Sequence, residues 1–256
     1  MARLLQIFGF LSVVLCGASL AFQSLTVGGV IFLLLVLRGS GRDFEDTKDS
    51  CLGWIRRFAL ALSAMQTSHL VANAFILMQS AEMGLSDIIA ANFVLAGALG
   101  LGACFAIVAL SSAGRAGSHR GFLLPAAAIM ASSVLTSHAM ARLEHRLPLV
   151  FVTALHQLAA AAWLGGLPFL LMAIRLASSP DFVRQLSARF SRLALMSVAI
   201  VASAGLILSF SYVGSLSAVY GTSYGAMDSF RTAFVSRRAE FSTGPPRRSQ
   251  LHPLEP

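Results

Sequence analysis

Charge is what this chain has least of. Asp, Glu, Lys and Arg make up 12% of its 256 residues, about half the roughly 25% of soluble domains. A soluble globular domain is excluded on that ground, and 56% of the residues are hydrophobic. Cysteine is scarce too. Cys16, Cys51 and Cys104 are widely separated and form no CxxC pair, which excludes a disulfide scaffold and a cysteine zinc site. No GxxxxGK[ST] loop is present, so nothing cradles the phosphates of ATP. No carboxylate lies deep in an apolar run. That argues against a proton-relay pump and against hydrolytic chemistry, and the chain reads as a non-enzyme.

What is present is a series of uncharged apolar runs of about 18 residues or more. Each can cross a hydrocarbon core of roughly 30 Å at about 1.5 Å per helical residue. In lipid only helices and closed barrels satisfy their own backbone groups. The expected fold is therefore all-α, a polytopic transmembrane helical bundle. Six spans are expected, at about 11–37, 54–78, 88–110, 121–139, 148–174 and 193–213.

The formal net charge of +8 calls for no nucleic-acid partner, because the bases cluster in short loops. Arg38, Arg42, Lys48, Arg56 and Arg57 follow the first span; Arg115 and Arg120 follow the third; Arg175, Arg184, Arg189 and Arg192 follow the fifth. With alternating spans these eleven bases share one side, against Arg3, Arg142 and Arg146 on the other. The positive-inside rule then places the loops in the cytoplasm and the N-terminus outside.

Residues 1–22 have the form of a signal peptide, with Arg3, an apolar core and a small-x-small site at Ser19 to Ala21. Cleavage there would leave only about 13 apolar residues, too few to span. An uncleaved first helix, bent near Gly28 and Gly29, is the expectation. Residues 1–225 read as the membrane domain. The segment 226–256, with five arginines and four prolines, reads as a disordered tail or as the trace of a shortened product.

Imidazoles are costly where they face lipid, so those within spans are expected to face the bundle or a watery cavity. His138 falls at the outer end of the fourth span and His156 in the outer half of the fifth, across a short turn. Met140 stands two positions after His138. Met65 and His69 are one helical turn apart on the second span and share a face. Thioether with imidazole is a ligand set suited to copper, above all Cu(I). The bland alternative is that these histidines only bond one helix to another and the methionines only pack. In LHQLAAAAWLGGLPFLLMAI, residues 155–174, Ala162 and Gly166 have small-xxx-small spacing, and Gly165 and Gly166 let a neighbouring helix approach. Trp163 lies seven residues after His156 and is placed to wall the site. Pro168 removes a backbone donor and kinks the helix.

Four motifs carry a resemblance to a known family: SHA at 137–139, LHQLAAAAWLGGL at 155–167, RFSRLAL at 189–195 and GSLSAVYGTSYG at 214–225. In these the chain resembles the copper resistance D (CopD) family of bacterial inner-membrane proteins. The resemblance implies copper import or copper homeostasis, with copper ion as the transported species and a periplasmic CopC-like copper-binding protein as partner. It also implies that His138 and His156 match the family's histidines, and that Trp163, Gly165 and Gly166 match its helix motif. His69, Met65 and Met140 are added from the residues alone. Two further readings stay open: a b-type haem electron-transfer protein, which needs two facing axial histidines, and a structural membrane subunit without metal.

Overall fold

The computed structural model describes residues 2–80, 84, 89, 91–113, 119–137, 140 and 146–213. Among the described residues every regular element is helical and there is no strand. In chain order the α-helices are α1 (Ala2–Ile31), α2 (Arg42–Ser80), α3 (Asn92–Ser112), α4 (Leu123–Leu135), α5 (Arg146–Ala160), α6 (Leu167–Leu176) and α7 (Pro180–Val213). A π turn, Phe32–Val36, closes α1, and a second, Ala161–Gly165, joins α5 to α6. A 3-10 turn, His119–Phe122, leads into α4.

Among the described residues five stretches are long and apolar enough to cross a membrane: Leu11–Val36, Arg42–Met78, Asn92–Ser112, Arg146–Leu176 and Pro180–Ser211. Arg120–Leu135 is a shorter apolar helix between the third and fourth of them. The protein is an all-α, multi-pass helical membrane bundle, as the apolar runs require. Residues Met1–Leu208 form one unit and Ser209–Pro256 a second. The described part of the second is 209–213, and the segment 226–256 lies outside the described residues.

The helix limits differ from the expected spans for physical reasons. α2 starts at Arg42 rather than near 54, and α7 at Pro180 rather than near 193. Both extensions have acids in the first turn, Asp43 and Glu45 in α2 and Asp181 in α7, where the positive end of the helix dipole favours them. Lys48 pairs with Glu45, and Arg184 with Asp181, each at 3.2 Å and one turn apart. Several bases expected in loops thus stand on charged helical stems that continue the apolar spans.

α4 ends at Leu135 rather than 139. Thr136 and Ser137 turn their hydroxyls back onto the carbonyls of Ser132, Ser133 and Val134, offering the backbone an alternative to further helix. The fifth span is two helices. Pro168 has no N–H to give the Leu164 carbonyl, and the π turn with Gly166 absorbs the break, leaving Pro168 in the first turn of α6, where no donor is needed. α1 is continuous through Gly28 and Gly29, and both glycines are close-packing positions.

One end of the bundle is dry. Phe32, Ile55, Leu62, Ile107, Ile129 and Phe169 are fully buried there, and the Phe32 and Phe58 rings lie 6.1 and 6.0 Å from that of Phe169. Arg189 of α7 donates to the carbonyls of Arg38 at 2.6 Å and Val36 at 3.4 Å, satisfying acceptors that the end of the first span leaves open. Polar side chains gather toward the opposite end.

Candidate functional site

Helical spacing builds a polar face on each of several helices. α2 carries Gln66, His69 and Asn73 at i, i+3 and i+7, which fall on one side. Cys16, Ser19 and Gln23 repeat the spacing on α1. Ser132, Ser133, Thr136 and Ser137 cluster at the end of α4, and α5 adds Gln157. All of these line one cavity of about 740 Å³, within the size range of small-ligand sites. The second half of α2, the start of α3 and the end of α4 contribute to it. The cavity therefore sits toward the bundle end that holds the α2–α3 and α4–α5 connections.

Among the described residues that line it there is no Asp, Glu, Lys or Arg, and this described lining is polar but formally uncharged. Its geometry depends on Gly100 of α3, where an added Cβ would lie 2.7 Å from Ser132 Oγ and 3.0 Å from Gln66 Oε1. That missing side chain lets Gln66 and Ser132 converge. Ser132 Oγ donates to the Ala96 carbonyl at 2.7 Å, tying α4 to α3, and Gln23 Nε2 donates to Met130 Sδ at 3.5 Å. Ser19 Oγ, Gln66 Oε1 and Gln157 Oε1 are buried with no hydrogen-bond partner.

The sequence-predicted residues are distributed over several places. His69 is half-buried and lines the cavity. Met65, one turn earlier, is half-buried and outside the lining. His156 is turned toward α7 instead: its Nδ1 lies 3.2 Å from the Val201 carbonyl oxygen, and a Cβ on Gly205 would meet its Cε1 at 3.5 Å. Successive helical residues differ by about 100°, so Gln157 faces the cavity while His156 faces the seam. Because a carbonyl only accepts, Nδ1 is the donor in this contact.

His138 lies outside the described residues; its neighbour Ser137 lines the cavity. Met140 belongs to a second cavity of about 460 Å³ with Asn92 and Arg146, where Arg146 Nη2 donates to its Sδ at 3.6 Å. Trp163 is half-buried within the π turn. Gly165 packs on α1, and Gly166 packs under Phe190, whose ring a Cβ would meet at 2.9 Å. Among the described residues no group of three or more His, Cys, Asp or Glu is placed to hold a metal ion.

The chain matches no family model, no curated protein and no solved structure. Its chemistry is therefore read from its own residues. An imidazole and an accessible thiol, His69 and Cys16, give the cavity two soft donors. The amides and hydroxyls give it neutral oxygens. Sequence reasoning missed Gln23, Gln66, Asn73 and Gln157, although amides at helical spacing inside apolar spans are the signal that marks them.

Proposed function

We propose that this chain is a multi-pass protein of the bacterial inner membrane that binds copper within its bundle and passes it toward the cytoplasm, as its resemblance to the CopD family implies. The observation that carries the reading is that Cys16 and His69 line the same cavity, whose described lining has no charged residue. Thiol and imidazole without carboxylate suit Cu(I) better than Mg²⁺, Ca²⁺ or Mn²⁺. Under the positive-inside orientation the cavity faces the periplasm, where a CopC-like protein would deliver copper. His156 is the next imidazole along α5, and the resemblance implies His138 as a further ligand. Met65 and Met140 are thioether candidates at its margins. The transport is non-enzymatic and uses no ATP.

The test is metal binding by the full chain purified in detergent under reducing conditions. Cu(I) is titrated against a colorimetric chelator for the wild type and for Cys16→Ser combined with His69→Ala. The double variant is expected to bind at least about tenfold more weakly, equivalent to about 1.4 kcal/mol. Equal affinity in the two proteins removes the reading. A Soret band in the purified protein, with no copper bound, replaces it with the haem alternative.

A further inference from the structure

The oxygens of the cavity carry an inference that goes beyond copper and does not depend on it. Ser19 Oγ of α1, Gln66 Oε1 of α2 and Gln157 Oε1 of α5 are buried and unpartnered, and all three residues line the same cavity. Buried polar atoms of native proteins are almost always paired, and an unpaired cluster calls for a water or an ion. Three such atoms from three helices at one cavity are not explained by packing.

Other cavity hydroxyls add oxygen acceptors. Ser132 Oγ gives its hydrogen to the Ala96 carbonyl, Ser137 Oγ to that of Val134, and Thr136 Oγ1 to those of Ser132 and Ser133. Each hydroxyl keeps oxygen lone pairs with no hydrogen left to donate. None of the described lining residues is Lys or Arg. A cation that takes these oxygens as ligands satisfies them.

The class of cation follows from the absent charge. Ca²⁺ is held by carboxylates together with neutral oxygens, and Mg²⁺ by carboxylates and retained waters; none of the described lining residues is a carboxylate. Rings of neutral oxygens replace the hydration shell of monovalent ions. Copper, being softer, would go to Cys16 and His69. We propose that the neutral oxygens centred on Gln66, Gln157 and Ser19 bind a monovalent alkali cation, Na⁺ or K⁺, inside the membrane bundle. Gly100 belongs to this site in a positioning role, since a side chain there would displace the Gln66 amide.

The experiment is equilibrium binding of ²²Na⁺ and ⁸⁶Rb⁺, the latter standing for K⁺, to the full chain in detergent. The wild type is expected to bind one of them saturably, with competition by the unlabelled ion. Gln66→Ala with Gln157→Ala should weaken that binding at least about tenfold. Gln66→Glu, which keeps the shape and adds a charge, should strengthen it and covers the case in which the double variant fails to fold. Leu206→Ala, on an exposed face of α7, should leave it unchanged. The inference is overturned if neither ion binds saturably, or if all three cavity and control variants bind like the wild type. Cu(I) titration of the same samples separates the two readings: loss of copper binding with ²²Na⁺ or ⁸⁶Rb⁺ retained removes only the copper proposal, and the reverse removes only this one.

Discussion

Gly28 and Gly165 meet backbone to backbone. A Cβ on Gly28 would lie 2.6 Å from the Gly165 Cα, and one on Gly165 would lie 3.2 Å from the Gly28 Cα and overlap the Ser24 carbonyl oxygen. Small residues permit such approach where lipid supplies no hydrophobic drive between helices. The contact seats the π turn on α1, and beside it Phe169 reaches past Gly29 into the core, where a Cβ at 29 would overlap its ring. The same crossing helps to hold α5, with Gln157, against the α1 wall of the cavity.

Gly165→Ala is therefore expected to destabilise the protein by about 1–3 kcal/mol or more, the range for overpacking a closed site. Gly53 lies in α2 with nothing within 4 Å of an added Cβ. Gly53→Ala should be neutral or stabilising by up to about 1 kcal/mol through helix propensity. Thermal unfolding in detergent compares the two, and equal midpoints would contradict the close crossing.

Arg189 reaches from α7 to the Arg38 and Val36 carbonyls, and it is the polar tie between the last span and the end of the first. Arg189→Leu removes charge-assisted hydrogen bonds at a partly buried position. A loss of about 1–2 kcal/mol is expected. Arg189→Lys should restore only part of it, since one ammonium does not reproduce the planar fork. Urea or thermal unfolding of the three proteins measures the order, and a leucine variant as stable as the wild type would show the contact to be incidental.

Much of the fold was legible because apolar length alone specifies a span. The site was less so, since it depends on which helix faces point at one another. His156 and Gln157 are neighbours in the same apolar run, and nothing in that run says that the amide would face the cavity and the imidazole α7. Nothing in the sequence sets Cys16 beside His69, which depends on α1 lying against α2. Pro168 signalled a break in the fifth span, but not that a π turn would absorb it. The expected pairing of Met65 with His69 followed from helical spacing, yet only His69 reaches the cavity lining.

Topology is tested by labelling. The bias of bases predicts that Ser40, between α1 and α2, lies in the cytoplasm and Gly84, after α2, outside. In a background with Cys16, Cys51 and Cys104 replaced by serine, Gly84→Cys should react with a membrane-impermeant maleimide in spheroplasts. Ser40→Cys should react only after permeabilisation. The opposite pattern would invert the orientation and put the cavity on the cytoplasmic side, which would reverse the proposed direction of copper entry.

His156 separates a helix-to-helix bond from a metal contact. Its Nδ1 serves the Val201 carbonyl at 3.2 Å, and hydrogen bonds between membrane helices contribute about 0.6 kcal/mol on average. Replacing it by Ala loses both that bond and the packing over Gly205, so a stability change alone cannot assign its role. His156→Gln keeps an N–H donor for the carbonyl and removes the imidazole. With copper bound through Nε2, the Gln variant should unfold within about 0.5 kcal/mol of the wild type while its Cu(I) affinity falls about tenfold. Chelator competition beside thermal unfolding reads both quantities, and unchanged copper affinity in His156→Gln would leave this residue as the bond between α5 and α7 and nothing more.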